Sequence, residues 1–159
     1  MTAEKFDSLD YQIMRELQKD GALSLTIIAS KLKVSIGTIR NRLTRLMDEG
    51  TVQIIGRVDP DKVGLHAYAR IFISVKPAKN IQLIAKKLAL LPEVSFLAMI
   101  SGKYDLELNV QCRDNHHLIE LMERIHKVES VYETETNMYL KVFKIAQPDL
   151  DLVKDLWMK

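Results

Sequence analysis

The sequence predicts an α+β protein in which an N-terminal three-helix unit with a helix-turn-helix precedes a ferredoxin-like βαββαβ domain. Three observations support this fold class. Apolar residues recur at helical spacing through residues 7–48, and serines stand where two of the helices would begin. After residue 66 the pattern changes to the alternation of β-strands. The order strand, helix, strand, strand, helix, strand is that of a split βαβ arrangement.

The first helix is predicted over residues 7–19. Asp7 is a suitable N-cap with Asp10 in the first turn, and the pair Asp20-Gly21 provides a stop. The inward-facing side of this helix is formed by Leu9, Ile13, Met14 and Leu17. We expect it to pack against the two helices that follow.

Residues 24–48, with the sequence SLTIIASKLKVSIGTIRNRLTRLMD, predict two short helices joined by a tight turn. Ser24 and Ser35 can cap them, because a serine oxygen accepts the unpaired N–H groups of a first helical turn. Between the two helices, Val34 is expected to face inward. The inward side of the second helix is formed by Ile36, Ile39, Leu43, Leu46 and Met47.

The outward side of the second helix carries hydrogen-bonding and basic groups, which predicts contact with double-stranded DNA. A helix fits the major groove, where asparagine can pair with adenine and arginine with guanine. We expect contacts with base edges from Gly37, Thr38 and Asn41, with Arg45 as a further candidate. Phosphate contacts are expected from Lys31, Lys33, Arg40 and Arg42, and Ser35 and Thr44 complete the predicted DNA-binding set.

An ordinary amphipathic helix pair with a solvated charged face is the alternative interpretation of this segment. The charge distribution favours DNA, because every charged residue between Gly21 and Met47 is basic, whereas a solvated face usually mixes signs. The net charge of the whole chain is only +2. Affinity for nucleic acid must therefore be local rather than a property of the whole protein.

The composition is that of a globular protein that buries a core, with 159 residues of which 47% are hydrophobic and 28% charged. No apolar run is long enough to span a bilayer, and the N-terminus lacks the charged-then-apolar layout of a signal peptide. We therefore expect a cytoplasmic protein with no membrane partner. Cys112 is the only cysteine, which excludes an internal disulfide and a multi-cysteine zinc site. No cofactor and no metal are expected.

Changes of pattern along the chain predict three regions. Residues 1–58 form a winged helix-turn-helix domain, residues 59–66 a linker, and residues 67–159 the ferredoxin-like domain. The β-branched stretch TVQIIGRV, residues 51–58, is expected to form a short strand that serves as a wing or a linker. A short helix is expected in the stretch PDLDLVKDLWMK, residues 148–159.

Four strands and two helices are predicted in the second domain. The strands cover residues 67–75, 95–101, 106–112 and 131–145. Asn80 and Asp114 are expected to cap the helices. With both helices on one face of the sheet, the other face would expose Phe72 and parts of the stretches 96–100 and 139–143. Too much apolar surface would then remain in water, so we predict that the sheet pairs with a second copy of the chain.

Five segments carry a resemblance to a known family. They are FDSLDYQIMRELQKDG, IIASKLKVSIGTIRNRLTRLMDEG, DPDKVGL, GKYDLEL and the strand containing Thr134 and Thr136. In this order they resemble the opening helix, the helix-turn-helix, the exit from the DNA module, and the loop and closing strand of the effector domain of the Lrp/AsnC family. These proteins are the leucine-responsive or feast/famine regulators of bacteria and archaea, and the resemblance covers nearly the whole chain.

The resemblance implies a sequence-specific transcriptional regulator whose first domain binds palindromic operator DNA. The second domain would dimerise, and the dimers would assemble further into tetramers or octamers. It also implies that an amino acid or a related metabolite binds between dimers, near the loop that matches residues 102–105, and alters assembly or DNA affinity. The effector-site candidates carried over by position are Ile100, Gly102, Lys103, Tyr104, Asp105 and Thr134.

Three positions depart from the family pattern. Lys103 stands where the family often has an acidic residue, and a lysine can meet a carboxylate where an acidic residue would hold an ammonium group. The alternative for Gly102-Lys103 is a tight hairpin turn, with Asp105 satisfying its backbone. Ala22 and Ile27 stand where the family often has arginine and glutamate.

The sequence contains no catalytic constellation, and we therefore predict no enzymatic activity. Glu123 and His126 have the Glu-x-x-His spacing of a di-iron bundle, but such a site needs two of these units and further glutamates. Some relatives with this architecture are sirohaem decarboxylases, which is one alternative function. An effector-sensing partner that binds no DNA itself is the other, and the basic helix of the helix-turn-helix argues against it.

Overall fold

The computed structural model describes residues 6–157. These residues form two compact units. The first comprises the residues up to Arg57 together with those from Ala146 onward, and the second is Val58–Ile145. The first unit is helical, and the second is built on a four-stranded antiparallel sheet. The α+β fold class predicted from the sequence is confirmed.

The helices α1 (Ser8–Lys19), α2 (Leu25–Leu32) and α3 (Ile36–Asp48) form most of the first unit. Each begins where the sequence predicted an N-cap. The Asp7 carboxylate accepts hydrogen bonds from the N–H groups of Leu9 and Asp10, both at 3.0 Å. Ser24 and Ser35 each accept a hydrogen bond from the third residue of the helix that follows. Because these N–H groups have no partner inside a helix, the caps fix where all three helices start.

The turn between α2 and α3 is held by backbone hydrogen bonds. Lys33 adopts the left-handed conformation with φ = 55°, and the N–H of Val34 donates to the Ala29 carbonyl at 3.1 Å. Val34 is partly buried against the core of the unit, as the sequence predicted. A side chain in the left-handed conformation costs about 1–2 kcal/mol, so this turn stores local strain.

The apolar core of the first unit is small. Its buried cluster consists of Ile13, Ile28, Ala29 and Ile39. Ile36 and Met47, predicted to face inward, are 41% and 45% exposed and do not belong to this cluster. They lie at the two ends of α3, beyond the part of the helix that its neighbours cover.

Residues 51–58 form no strand, so the short strand predicted there is wrong, while the alternative of a linker stays a prediction. The side chains of Ile54, Ile55 and Val58 are 46%, 69% and 61% exposed. A strand needs a neighbour that accepts its backbone hydrogen bonds. Within residues 6–157, no strand pairs with this stretch.

The second unit contains four strands and two helices. In chain order they are β1 (Ala67–Val75), α4 (Ile81–Leu88), β2 (Val94–Met99), β3 (Leu106–Cys112), α5 (Asn115–His126) and β4 (Val131–Met138). The strands lie side by side in the order β2-β3-β1-β4. This is the arrangement of a ferredoxin-like domain, and the predicted order of strands and helices is confirmed.

The core of the second unit lies between the sheet and its two helices. Buried and partly buried residues alternate along the whole of β1 and β3. The buried residues of these strands join Ile84 and Leu88 of α4 and Leu118, Leu121 and Ile125 of α5 in one cluster. Both helices therefore cover the same face of the sheet, as predicted.

Three local predictions for the second unit are wrong. Asn80 does not cap α4, because its side-chain amide instead donates to the Ser130 hydroxyl at 2.8 Å. The second strand covers Val94–Met99 rather than residues 95–101. The last strand ends at Met138 rather than at residue 145, because Met138 pairs with Ala69, which is close to the first residue of β1.

The face of the sheet opposite the helices is mixed rather than apolar. Phe72 lies on this face, as predicted, between Glu107 of β3 and Glu135 of β4 in the strand register. The Arg70 guanidinium lies 4.8 Å from the centre of the Phe72 ring. Charged side chains from three strands therefore occupy the surface on which the sequence predicted mainly apolar contacts.

Residues 139–145 carry exposed apolar side chains beyond the end of β4. Leu140, Phe143 and Ile145 are 99%, 87% and 57% exposed. In the described part of the chain no strand lies beside this stretch. The predicted pairing with a second copy of the chain stays a prediction.

The segment of residues 146–157 packs against α1 and includes the short helix α6 (Lys154–Trp157). The Tyr11 hydroxyl donates to Asp151 at 2.6 Å, and Arg15 donates to the same carboxylate at 2.9 Å. The ring centre of Trp157 lies 4.9 Å from that of Phe6. The sequence grouped this segment with residues 67–159 instead, because its apolar residues do not indicate which surface they contact. The boundaries predicted at residues 58 and 66 stay predictions.

The longest helix is α3, with 13 residues. Among the helices of residues 6–157, none combines the length and the apolar character needed to cross a membrane.

Candidate functional site

The outward side of α3 borders an open depression of about 530 Å³. It is lined by Asp7, Thr38, Asn41, Arg42 and Arg45. The last four belong to the DNA-binding set predicted from the sequence, and the structure places them together on one surface. Asp7, the cap of α1, is an addition that the sequence did not predict.

The start of α3 is formed by Ser35, Gly37 and Thr38. The Ser35 hydroxyl accepts from the N–H of Thr38 at 3.0 Å and is hydrogen-bonded to the Thr38 hydroxyl at 2.8 Å. A Cβ at Gly37 would lie 3.7 Å from the Ser35 oxygen, in ordinary contact, so the fold does not require glycine there. Glycine inside a helix is about 1 kcal/mol less favourable than alanine, and its advantage is that another backbone can approach closely.

Arg42 and Arg45 are tied to carboxylates of α1 and its cap. Arg42 donates to Asp7 at 2.5 Å and to Asp10 at 3.1 Å. Arg45 donates to Asp10 at 2.5 Å, and its Nε is buried without a hydrogen-bond partner among the described residues. Asp10 is 1% exposed, whereas the two arginine side chains are 31% and 38% exposed. The arginines therefore hold α3 against the start of α1, with only part of each guanidinium facing solvent.

These ion pairs change the pKa of both partners. Burial opposes ionisation of Asp7, but hydrogen bonds from Arg42 and from backbone N–H groups outweigh it and hold the Asp7 pKa below its usual value. Hydrogen bonds to Asp7 and Asp10 raise the pKa of Arg42. Asp7 and Arg42 therefore both remain charged near neutral pH.

Lys31, predicted to contact phosphate, instead pairs with Glu16 of α1 at 2.6 Å. Lys19 contacts the other oxygen of Glu16 at 2.5 Å. Hydrogen bonds from Lys19 and Lys31 lower the pKa of Glu16 to about 2. Lys31 therefore joins α2 to α1, and an internal carboxylate balances its charge.

Four residues of the predicted DNA-binding set remain exposed and free of such contacts. In the part of the chain that the structure describes, no hydrogen bond or ion pair involves the side chains of Lys33, Arg40, Asn41 and Thr44. These groups lie on the outward side of α3 and at the turn before it. They are available to a partner without breaking any internal contact.

The sequence prediction missed the carboxylates that α1 supplies to the helix-turn-helix. One signal for them was present. Asp10 precedes Ile13 by three positions and Leu17 by seven, so it lies on the apolar side of α1. A carboxylate that faces a core needs a cationic partner, which Arg42 and Arg45 provide.

The loop between β2 and β3 contains most of the predicted effector-site residues. Gly102 has φ = 120°, a conformation that favours glycine. The Lys103 ammonium donates to the Tyr104 hydroxyl at 2.8 Å and lies 3.4 Å from a carboxylate oxygen of Glu133. The Lys103 side chain remains 66% exposed, so it can still meet a ligand.

Asp105 and Ile100 hold the backbone around this loop. The Asp105 carboxylate accepts from the N–H of Val75 at 2.7 Å, and the Asp105 N–H donates to the Ile73 carbonyl at 3.0 Å. The Ile100 N–H donates to the Asp105 carbonyl at 3.0 Å. Asp105 thus satisfies backbone groups at the end of β1, which resembles the hairpin alternative more than a ligand contact.

Thr134 does not lie with the other effector-site candidates. It pairs with Ile73 in the register of β4 and β1, on the helix-covered face of the sheet, and its hydroxyl lies 2.9 Å from Nε2 of His126. Tyr104 instead donates to Glu135 at 2.7 Å. Because neighbouring strand residues point to opposite faces, Thr134 and Glu135 lie on different faces of the sheet. The structure thus places Thr134 apart from the loop residues, and its part in an effector site stays a prediction.

Three residues that the sequence prediction did not include surround the loop. The ring of Phe72 is stacked on that of Tyr104 with centres 5.4 Å apart. Glu133 and Glu135 approach from β4, and hydrogen bonds from Asn137 and Tyr104 lower the pKa of Glu135. The two-residue alternation of β4 was the available signal, since it places both glutamates on one face.

Comparison with known families decides the identity of both units. Residues 67–148 match the profile described as Lrp/AsnC ligand binding domain, which covers more than half of the chain. The chain belongs to the Lrp/AsnC family. Residues 6–53 match a profile described as winged helix-turn-helix DNA-binding. The family resemblance drawn from the sequence is confirmed.

Relatives of this Lrp/AsnC chain are named as transcriptional regulators. An uncharacterised HTH-type transcriptional regulator of Pyrococcus abyssi is 33% identical over 142 residues, which are 88% of this chain and 89% of that protein. The HTH-type transcriptional regulator FL11 of Pyrococcus furiosus is 30% identical over 139 residues, which are 87% of this chain and 91% of its own. The chain is a DNA-binding transcriptional regulator of the Lrp/AsnC type.

Solved structures show the same fold over nearly the whole chain. Escherichia coli AsnC aligns with a TM-score of 0.82 and 26% identity, covering 90% of this chain and 97% of that one. A transcriptional regulator of Neisseria meningitidis, solved as a complex with L-Met, aligns with a TM-score of 0.84 and 24% identity, covering 94% of this chain and 99% of that one. Lrp/AsnC regulators bind DNA, oligomerise and carry a domain for a small-molecule effector.

Proposed function

We propose that α3 reads operator DNA through Thr38 and Asn41, while Lys33 and Arg40 contact phosphates beside them. The observation that best supports this proposal is the environment of Asn41. Its side chain is exposed, lines the depression, and has no hydrogen-bond partner among the described residues. A free amide can donate to and accept from adenine in the major groove. Gly37 leaves room for the duplex to approach the start of α3.

Arg42 and Arg45 keep a supporting role in this proposal. Asp10 occupies one nitrogen of each. Since a guanidinium has five N–H donors, further donors remain for DNA. Lys31 is the weakest of the predicted phosphate contacts, because Glu16 already holds its ammonium group.

Asn41→Ala tests the proposed base contact. Loss of a bidentate contact should weaken binding to the operator by about 1–3 kcal/mol and leave binding to random DNA nearly unchanged. Fluorescence anisotropy would compare a duplex that the protein selects from a random pool with a scrambled duplex of the same composition. Asn115→Ala, at an exposed position where α5 begins, is the matched control. An equal loss on both duplexes would contradict the base contact.

Arg40→Ala tests the proposed phosphate contact. It should weaken binding to both duplexes alike and reduce the slope of log affinity against log salt by about 1. A loss confined to the selected duplex would instead assign Arg40 to base recognition.

We further propose that the operator is palindromic and that two copies of the chain associate through residues 139–145. A two-fold dimer presents two copies of α3 to matching half-sites. The exposure of Leu140 and Phe143 supports this interface, since apolar surface of this extent favours a protein partner. The dimer is proposed to act in the cytoplasm, where operator DNA is accessible.

Phe143→Asp tests this association. It should shift the protein from dimer to monomer in sedimentation velocity, because a carboxylate would be buried in an apolar interface. Leu152→Asp is the matched control, since Leu152 is 86% exposed in the first unit. An unchanged mass for Phe143→Asp would remove residues 139–145 from the interface.

For the effector we propose a small metabolite, an amino acid or a related acid, whose carboxylate meets Lys103. The exposed ammonium of Lys103 supports a carboxylate ligand, and Glu133 and Glu135 lie close enough to bind a cationic group of the same molecule. The L-Met complex of the Neisseria meningitidis regulator supports the chemical class.

A thermal-shift screen of the common amino acids and their keto acids tests the effector proposal. A ligand that binds only the folded state raises the melting temperature. Lys103→Met should abolish the shift, whereas Lys127→Met, at an exposed position after α5, should retain it. A shift that survives in Lys103→Met would place the ligand elsewhere.

A further inference from the structure

Asp7 differs from the other residues of the α3 surface because it places a negative charge where DNA is proposed to bind. It lines the same depression as Thr38 and Asn41, and its side chain is 52% exposed. Its Oδ2 lies 2.5 Å from Nη1 of Arg42. A surface adapted only to attract phosphates would not be expected to carry an exposed carboxylate.

The two oxygens of Asp7 serve different purposes. Oδ1 accepts from the N–H groups of Leu9 and Asp10, each at 3.0 Å, and so caps α1. Oδ2 accepts only from Arg42 in the described residues. Asp10 also binds Arg42, but it is 1% exposed and belongs to the interior of the unit. Of the two carboxylates that contact Arg42, Asp7 is therefore the one exposed to an approaching duplex.

Charges cancel in this part of the depression. Asp7 and Asp10 carry two negative charges, and Arg42 and Arg45 carry two positive ones. Attraction to phosphates is independent of sequence, whereas contacts with base edges are not. Neutralising Arg42 therefore weakens attraction to every duplex, while the amide of Asn41 keeps its capacity to read a base.

We propose that Asp7 sets the selectivity of α3 by withholding Arg42 from the phosphates of non-operator DNA. On random duplexes the Asp7–Arg42 pair stays closed, and Arg42 adds little to affinity. On the operator, the contacts of Asn41 hold α3 in the groove, and a phosphate replaces Asp7 at Arg42. Asp7 is a positioning residue, since it acts through Arg42, and the inference rests on the proposed function of α3.

Asp7→Asn tests the inference, because asparagine caps a helix as well as aspartate does but carries no charge. Asp48→Asn is the matched control. It makes the same change of charge on α3, at a residue with no ion pair in the described chain. The probes are a duplex of about 30 base pairs, the length of about three helical turns, that the protein selects from a random pool, and its scrambled counterpart. Trp157 fluorescence would verify that the first unit remains folded.

In Asp7→Asn, Arg42 keeps its contact with the buried Asp10, and its remaining N–H groups can contact a phosphate. For the scrambled duplex, the slope of log affinity against log salt should steepen by about 0.9, which is roughly a threefold greater loss of affinity between about 50 and 200 mM salt. Affinity for the scrambled duplex at low salt should rise by about the same factor. Binding to the selected duplex should change less, because Arg42 already contacts a phosphate there in the unmodified protein, so the selectivity ratio falls.

Arg42→Gln provides the second readout. Adding Asp7→Asn to Arg42→Gln should leave the salt slope unchanged, because the double variant has no guanidinium at position 42 that the loss of Asp7 could free. If Asp7→Asn alters neither ratio nor slope, or if Asp48→Asn alters them equally, the inference is overturned while the proposed DNA binding stands. If the unmodified protein shows no salt-dependent binding to either duplex, the proposed function and this inference are overturned together.

Discussion

The two units of this Lrp/AsnC regulator are stabilised in different ways. The first has four residues in its buried cluster, and ion pairs of Asp7, Asp10 and Glu16 with basic residues join α1 to α2 and α3. The second has fourteen residues in its buried cluster, which lies between a hydrogen-bonded sheet and two helices. Charged side chains of the DNA-binding unit therefore contribute to its own stability, in addition to the DNA contacts proposed above.

The second unit also contains one buried carboxylate. Glu93 is 7% exposed and contacts Arg124 and His117, the latter at 3.0 Å. This contact joins the region before β2 to α5 and adds to a core that is already extensive. In the first unit, by contrast, the ion pairs supply much of what holds three short helices together.

Removal of a buried side chain should give the largest difference in stability between the two units. Ile39→Ala should destabilise the first unit by about 2–5 kcal/mol, because Ile39 is fully buried and belongs to a cluster of only four residues. Leu108→Ala should remove a similar amount from the second unit without unfolding it. Trp157, the only tryptophan, packs against Phe6 in the first unit, so its fluorescence follows that unit while far-UV circular dichroism follows both. Identical unfolding curves for both signals in both variants would contradict the comparison.

Acid should weaken the first unit through Glu16. Lys19 and Lys31 lower its pKa from the ordinary 4.5 to about 2 in the folded state. The unfolded chain therefore binds the proton more readily, and the stabilisation present above the ordinary pKa is lost as the pH falls through the folded one. The urea midpoint followed by Trp157 should thus decline between about pH 5 and pH 2. Glu16→Gln should flatten this decline, and equal pH profiles for the two proteins would exclude Glu16 as its source.

Asp151→Asn should loosen residues 146–157 from α1. The Tyr11 hydroxyl and Arg15 both donate to this carboxylate, but its side chain is 51% exposed. The loss of stability should therefore be only about 1 kcal/mol. A red-shifted Trp157 emission and a lower melting temperature of the first unit would report it. Asp155→Asn, an exposed neighbour in the same segment, should change neither.

Gly37→Ala should produce the smallest change in the stability of the first unit, and this change should be a stabilisation rather than a loss. The fold leaves room for a Cβ at this position, so alanine should stabilise the first unit by roughly 0.5–1 kcal/mol. Operator affinity should nevertheless fall, because the added methyl group meets the approaching duplex. Gly50→Ala is the contrasting control, since φ = 70° at Gly50 makes alanine destabilising there. Unchanged operator affinity in Gly37→Ala would show that no close approach occurs.

Much of the fold could be predicted because local signals agree with it. Asp7, Ser24 and Ser35 cap the helices that the apolar spacing predicts, and the alternation of β1 gives its buried face. The failures occur at residues 51–58 and 139–145, which have the composition of strands but no neighbouring strand in the described chain. Pairing depends on what lies beside a segment, and β-propensity alone does not provide it.

Helical spacing predicts which residues of α3 share a surface, but it does not predict the partners of those residues. Asn41 and Arg45 lie on one surface, as helical spacing requires, but Arg45 is bound by a carboxylate 35 positions away in sequence. Distances of that kind are set by tertiary packing and cannot be inferred from local spacing. Near the effector loop, Tyr104 contacts Glu135 rather than Thr134, because these neighbouring residues of β4 point to opposite faces of the sheet.

The packing of residues 146–157 against α1 affects the order in which tertiary contacts form during translation. A ribosome delivers α1, α2 and α3 first, then the entire sheet, and only afterwards the segment that contacts Tyr11 and Arg15. Nascent domains generally fold as they emerge, so the three helices must persist with an uncovered surface until the sheet has been made. Closure of Trp157 onto Phe6 accordingly follows synthesis of the sheet, although Phe6 precedes the sheet in the chain.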